Sequence, residues 1–310
     1  MSLALQVLVT GAAAGGVYGL IAIGHALIYR LTGVVHFAFG DLVGLGVFAT
    51  LLVAAGTGPV TQTNVAAGRF LVALAVGLVV CIAAGAGTYL YAVEPYAARG
   101  STIGWVGATV AIAFAVRAFV GLLFDRPSYV FPDPIPFRHL GHGGFVSVGS
   151  ASIQVRAFFV VGLALVLAAL STVALERTRF GRGLQAVAAD ADGARVVGVP
   201  VTSLVAGAFG LVGGLAALAA VAAAPNGPFD TDSGVLLGLK GLVAALAVRF
   251  GSPWRAFGAG LLLGVAEAAV AGLPVDGHEL GAQYREVLPL AFVLLLIALR
   301  PARDALEEQE

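Results

Sequence analysis

The chain has 310 residues, of which 59% are hydrophobic and only 11% charged, and its mean hydropathy is +0.98. A soluble domain carries about 25% charged residues, so a shortfall spread over the whole length excludes a soluble protein and indicates an all-α integral membrane protein. The net charge is +0 and Cys81 is the only cysteine, which removes the electrostatic case for nucleic acid and excludes an internal disulfide or a thiolate metal site.

Met1-Ser2-Leu3 has no basic region, and the apolar run behind it is too long for a signal-peptide core, so the run is read as a span. Windows of about 20 apolar residues place spans at about 5–29, 34–56, 70–93, 101–124, 156–175, 201–223, 233–248, 256–272 and 286–299, roughly nine, within a range of about 8–10. In the first span Gly11, Gly15 and Gly19 repeat every four residues, a small-residue seam for close helix approach. The second begins Val34-Val35-His36-Phe37-Ala38-Phe39-Gly40-Asp41, with a His and an Asp inside an apolar run. This start reads as a broken or re-entrant helix, because unpaired backbone at membrane depth survives only where protein or a cavity surrounds it. Glu94-Pro95-Tyr96 and Arg99 are expected to end the third span, and Arg117 in the fourth to snorkel outward.

Residues 125–155 form a long polar segment, stiffened by Pro127, Pro132, Pro134 and Pro136. Within it Phe145–Val148 and Ser152–Val155 flank Gly149-Ser150 and read as a hairpin. After the fifth span comes Glu176 to Pro200, which holds Arg177, Arg179, Arg182 and Arg195 beside Asp190 and Asp192. Leu184, Val187, Ala188 and Ala191 recur there at helical spacing, with polar residues elsewhere on the wheel. Two short amphipathic helices outside the bilayer follow. Asp192-Gly193 is expected to end the first and cap the second, and Gly198-Val199-Pro200 stops it. Asp230, Asp232 and Ser233 are expected to cap the seventh span. The Lys/Arg bias sets Arg30, Arg99, the 177–195 arginines, Arg249, Arg255, Arg300 and Arg303 against Arg69, Arg126, Arg138, Arg156 and Arg285. The first group marks the cytoplasmic side, with the N-terminus outside and the C-terminus inside. A weak echo between residues near 40 and near 240 allows two related halves, as in transporters built from repeats.

Lys240 and Glu267 sit inside the seventh and eighth spans, where an isolated charge costs about 2.5–3.5 kcal/mol or more. They are expected to approach each other, either as a static ion pair, the favoured reading, or as ligands of a transported solute. His36 and Asp41 are the other pathway candidates, against the plainer reading that they cap the helix or satisfy each other. His25 reads as a buried, satisfied histidine. No G-x-x-x-x-G-K-[ST] occurs, and the nearest string, Gly234 to Gly241, has the wrong spacing, so the chain carries no ATPase site of its own by this reading. No H-E-x-x-H or nucleophile–base arrangement is legible, and no cofactor or metal is expected. A stand-alone secondary transporter or channel stays open as an alternative.

Three stretches together resemble the inner-membrane permease subunits of branched-chain amino acid ABC importers, the LivH type. Gly33 to Phe48, G-V-V-H-F-A-F-G-D-L-V-G-L-G-V-F, is similar to that family's G-x-x-N-F-A-H-G-[ED] opening. Arg177 to Val199 is like its cytoplasmic loop, and Gly234 to Val248 runs on through Gly251-Ser252 to Gly258–Ala268. His36 and Phe39 stand where the family has Asn and His, and Val248 to Arg255 stands where it has G-G-x-G-S-x-P-G. The resemblance implies one permease domain over 1–310, in the cell inner membrane. The candidate substrate pathway, from the broken helix and the intramembrane charges, comprises His36, Phe37, Phe39, Gly40, Asp41, Lys240 and Glu267. Residues 176–200 would be the ATPase-coupling loop, with Arg177, Arg179, Gly181, Arg182, Ala188, Asp190, Arg195 and Gly198 as contacts. The implied partners are cytoplasmic ABC ATPase subunits, a second permease chain, an extracytoplasmic substrate-binding protein that could meet 125–155, and membrane lipid. Amino acids are the implied solute, with urea or short amides as the alternative.

Overall fold

The computed structural model describes residues 2–58, 65–97, 99, 101–132, 144–148, 151–224, 227–271, 274–275 and 278–279, together with 287 and 291. In chain order the elements are α1 (Ser2–Thr32), α2 (Phe39–Ala54), α3 (Ala67–Gly87), a π-helical segment (Thr88–Val93), α4 (Glu94–Ala97), α5 (Thr102–Leu123), β1 (Phe145–Val148), β2 (Ala151–Gln154), α6 (Val155–Arg177), α7 (Arg179–Ala189), α8 (Ala191–Val196), α9 (Val201–Ala223), α10 (Ser233–Ala247), α11 (Pro253–Ala271), β3 (Pro274–Val275) and β4 (His278–Glu279).

Among the described residues six helices are long and apolar enough to cross a membrane: Ala4–Thr32, Ala67–Ala97, Ile103–Leu123, Val155–Arg177, Val201–Ala223 and Pro253–Ala271. The second and seventh expected spans are different objects. At about 1.5 Å per residue, α2 and α10 are about 24 and 22 Å long, short of a hydrocarbon core of about 30 Å. The stretch before α2, residues 33–38, is not helical, as a broken start requires. The ninth expected span, about 286–299, falls almost wholly outside the described residues, as do Pro134, Pro136, Gly149, Ser150 and the C-terminal tail.

The bundle is built around α1, which packs along α11 and also meets α10, α9 and α6. Leu20, Ile21, Ala22 and Ile23 face every direction around the helix, and all are buried. In lipid there is little hydrophobic drive between helices, so close packing must supply the contact energy. The seam expected in α1 does so: Gly15 lies against the backbone of Gly260 and Leu261, and a Cβ on Gly264 would run into Gly15. The second close crossing joins the two short helices. Gly40 lies against Gly234 and Gly238, so α2 and α10 pass with backbone on backbone. These helices carry the two stretches that echo each other in sequence. The α3–α9 and α2–α3 contacts complete the interior.

Two details differ from expectation. The third span does not stop at Glu94; it widens into the π-helical segment and continues through α4 to Ala97. The expected hairpin forms, with β1 and β2 antiparallel and Ser147 opposite Ser152, its second strand one residue earlier than expected. An isolated bridge pairs Tyr129 with Phe229, holding the segment after α5 against the entry to α10.

Candidate functional site: a polar interior and a basic hairpin

Lys240 on α10 and Glu267 on α11 meet as expected, with Nζ 3.1 Å from Oε1 and 3.2 Å from Oε2. Both are buried. Sequence reasoning missed the third member. Tyr18 on α1 donates its hydroxyl to Glu267 Oε2 at 2.9 Å and accepts from Lys240 Nζ at 3.2 Å. A tyrosine in an apolar helix reads as core, and no signal in the sequence separates it from one. The triad knits three helices, and each charge has a partner, which is what burial of an ion pair demands.

His36 lies in a box of rings. Its ring centroid is 5.2 Å from Phe209 and 6.4 Å from Phe39, and Phe209 in turn stands 5.2 Å from Tyr89 of the π-helical segment. His36 is 1% exposed, and neither ring nitrogen has a hydrogen-bond partner among the described residues. Asp41 does not pair with it. Asp41 instead accepts from Arg117 Nε at 3.1 Å, and the same guanidinium reaches Asp232 at 3.3 Å. Arg117 therefore ties the beginnings of α2 and α10 to α5. Arg117, expected to snorkel outward, is 30% exposed and ends on these two carboxylates. Of the remaining candidates, Phe39 is fully buried, Phe37 is 48% exposed, and Gly40 is taken up in the helix crossing. His25 is half-satisfied: Nε2 is 3.2 Å from the Gly238 carbonyl, its ring stands edge-on to Phe39, and Nδ1 has no partner among the described residues. Asp230, not Asp232, caps α10, accepting from Ser233 N at 2.6 Å. Among the described residues no cluster of three or more His, Cys, Asp or Glu is placed to hold a metal.

At the far end of α6 the chain turns into α7 and α8. Thr178 caps α7 through Gly181 N at 3.0 Å, and Gln185 donates to the Leu175 carbonyl at 2.9 Å. Gly181, Leu184 and Val187 are buried, and Gly181 lies so close to the Leu175 carbonyl that a side chain there would collide. The second cap is Asp190, which accepts from Asp192 N and Gly193 N at 3.0 and 2.9 Å, so the expected cap at Asp192 is two residues too late. Asp192 instead pairs with Arg195 at 2.6 Å. Gly198, with φ of +84°, supplies the left-handed exit. One face of this hairpin is thus seated on the bundle. The other exposes Arg177, Arg179, Arg182, Ala188, Asp190 and Arg195, and beside them Val196 and Val197 at 88% and 78% exposure. A groove of about 580 Å³ runs between the hairpin, Arg30 at the end of α1 and the Gly251–Pro253 turn, with Ala188 and Glu176 on its wall.

Short apolar helices crossing at glycines, and charged groups paired within an apolar bundle, fit a membrane transport protein. The family model described as branched-chain amino acid transport system / permease component matches residues 7–299, and the chain belongs to that family. It is 30% identical over 304 residues to the high-affinity branched-chain amino acid transport system permease protein BraD of Pseudomonas aeruginosa, covering 96% of this chain and 94% of that one. It is 26% identical to the permease protein LivH of Escherichia coli K12 over 304 residues, with the same coverage. The LivH protein of Salmonella typhimurium is also 26% identical, over 305 residues.

Proposed function

We propose that this chain lines the translocation pathway of an ABC importer for branched-chain amino acids and is driven by separate ATPase subunits gripping residues 176–200. Membership in the permease family carries the reading, and the hairpin supports it physically. One face is bonded to the bundle, while the other pairs arginines with exposed Val196 and Val197, a combination suited to a protein partner rather than to water alone. The chain contains no phosphate-binding loop, so the motor must be another polypeptide. The hairpin end is cytoplasmic, the N-terminus outside and the C-terminus inside, by the arginine bias of the loops. A second permease chain, like or identical, completes the pathway, and a binding protein meets the 125–155 side. His36, Phe37, Phe39, Gly40, Asp41, Lys240 and Glu267 border the route. The crossing of α2 and α10, with its echoing sequences, is where two related halves would meet.

The test is ATP-driven uptake in proteoliposomes holding the assembled transporter. Leucine enters only with ATP, and urea does not compete. Ala188→Trp, at an exposed position, leaves the chain inserted and ATP hydrolysis running while uptake falls. Uptake by this polypeptide alone, without nucleotide, would sink the reading; urea in place of leucine would move the substrate.

A further inference from the structure

A cavity of about 270 Å³ opens between the α7–α8 hairpin and the bundle, away from the Lys240–Glu267 triad in chain and in lining. Its walls combine charged and aliphatic groups. Val187, Val201 and Val205 form an aliphatic side, while Glu94, Arg195 and Trp105 bring an anion, a cation and an N–H donor. Glu94 is held in place by Thr202, whose hydroxyl donates to Oε1 at 3.0 Å, leaving its second oxygen for another donor. Trp105 is 4% exposed, and its indole N–H has no hydrogen-bond acceptor among the described residues. A buried N–H without an acceptor costs about 1–3 kcal/mol, and tryptophan can only donate, so the missing partner is an acceptor. The adjoining wall is the π-helical segment, a distortion that recurs at functional sites.

We propose that this cavity binds one free aliphatic α-amino acid, at a site distinct from the translocation pathway. The ammonium meets Glu94, the carboxylate meets Trp105 Nε1 and Arg195, and the branched side chain lies on the valines. A single opposite-charge pair beside a small apolar wall selects a zwitterion over an amine or an acid, and the volume accommodates an amino acid. Occupancy would tie α8 to α4 and α9, so the hairpin would register the amino acid present at its own end. The ligand class rests on the proposed function, whereas the site itself does not.

Binding is read with the full-length chain in lipid nanodiscs, carrying Trp254→Phe so that Trp105 is the only indole. Leucine shifts Trp105 emission saturably, while isovalerate and isopentylamine, each lacking one charge, do not. Glu94→Gln weakens the leucine response about tenfold, as loss of one charged hydrogen bond requires. Equilibrium dialysis with labelled leucine, on chains keeping Trp254, shows a similar loss for Trp105→Phe, which keeps an aromatic ring but not the N–H. In the assembled transporter Glu94→Gln retains ATP-driven leucine uptake, since the site lies off the pathway. An unsaturable response, an equal response to isovalerate, binding untouched by Glu94→Gln, or uptake abolished by it would each overturn the proposal. Failure of the wild-type transporter to import any aliphatic amino acid would instead overturn the functional reading, and the two results are read in separate assays.

Discussion

Two polar stations lie inside the same apolar bundle and obey opposite rules. At Tyr18, Lys240 and Glu267 every charge has its partner within 3.2 Å, and three helices are joined. At His36 an imidazole of similar burial faces Phe39 and Phe209 with neither nitrogen bonded among the described residues. A satisfied network is glue, because its removal is punished and its presence demands nothing further. An unsatisfied group stabilises nothing in the state that holds it, so its presence points to another state or another partner.

The largest expected effect comes from breaking the glue. Glu267→Leu leaves Lys240 charged, buried and short of its counter-ion, and should cost about 3–5 kcal/mol in denaturant unfolding in detergent. Glu267→Leu with Lys240→Met should recover most of that loss, because two well-packed apolar residues replace the pair. If the double variant is as unstable as the single one, Tyr18 and not the ion pair holds α10 and α11 together. Transport by the recovered double variant would assign the triad to structure; its loss would return Lys240 and Glu267 to the pathway.

The Arg117 clamp stands between the two cases. Asp41 is buried, but Arg117 is 30% exposed and Asp232 is 68% exposed. Water therefore screens part of the cluster, and Arg117→Leu should cost about 2 kcal/mol, less than the triad. Asp41→Asn keeps a hydrogen-bond acceptor for the guanidinium and should cost about 1 kcal/mol by the same measurement.

His36→Phe tests the other side of the contrast. It removes a desolvated polar ring and puts an apolar one into the same aromatic box. Melting of the variant in detergent should be unchanged or raised by the equivalent of about 1 kcal/mol, while uptake in proteoliposomes falls. A clear loss of stability would mean that His36 is bonded in the native protein, and the contrast would collapse.

How much of this was legible beforehand follows from the range of each signal. The glycine seam of α1 and the Lys240–Glu267 approach could be read because spacing and span depth fix them locally. The amphipathic face of α7 could be read for the same reason at Leu184 and Val187, although Ala188, expected on that face, is exposed and Gly181 is buried instead. Tyr18, the Arg117 targets and the Trp105 cavity could not, because they depend on which helix stands opposite, and sequence separations of 76 to 249 residues carry no local mark. The π-helical widening at Thr88 is a one-residue change in hydrogen-bond register that leaves hydropathy untouched. Val196 and Val197 read as ordinary apolar residues until the fold left them facing out. The cap at Asp190 rather than Asp192 is a competition between two acids two residues apart, decided by backbone geometry.

The smallest effect probes what sets the register between Lys240 and Glu267. The turn joining their helices holds two consecutive non-glycine residues in the left-handed region, Arg249 at φ +55° and Phe250 at φ +52°. Each such residue costs about 1–2 kcal/mol, so the turn is strained even as Phe250 stacks on Tyr29 at 4.0 Å. Arg249 is exposed, and its surface contacts are worth about 0–1 kcal/mol. Arg249→Gly should therefore stabilise the chain by up to about 1 kcal/mol, seen as a higher melting temperature in detergent. The gain should persist in the Glu267→Leu, Lys240→Met background if the turn alone fixes the register. If it vanishes there, the ion pair is what forces the turn into its strained shape, and the glue at the triad is drawing part of its strength from the backbone that connects it.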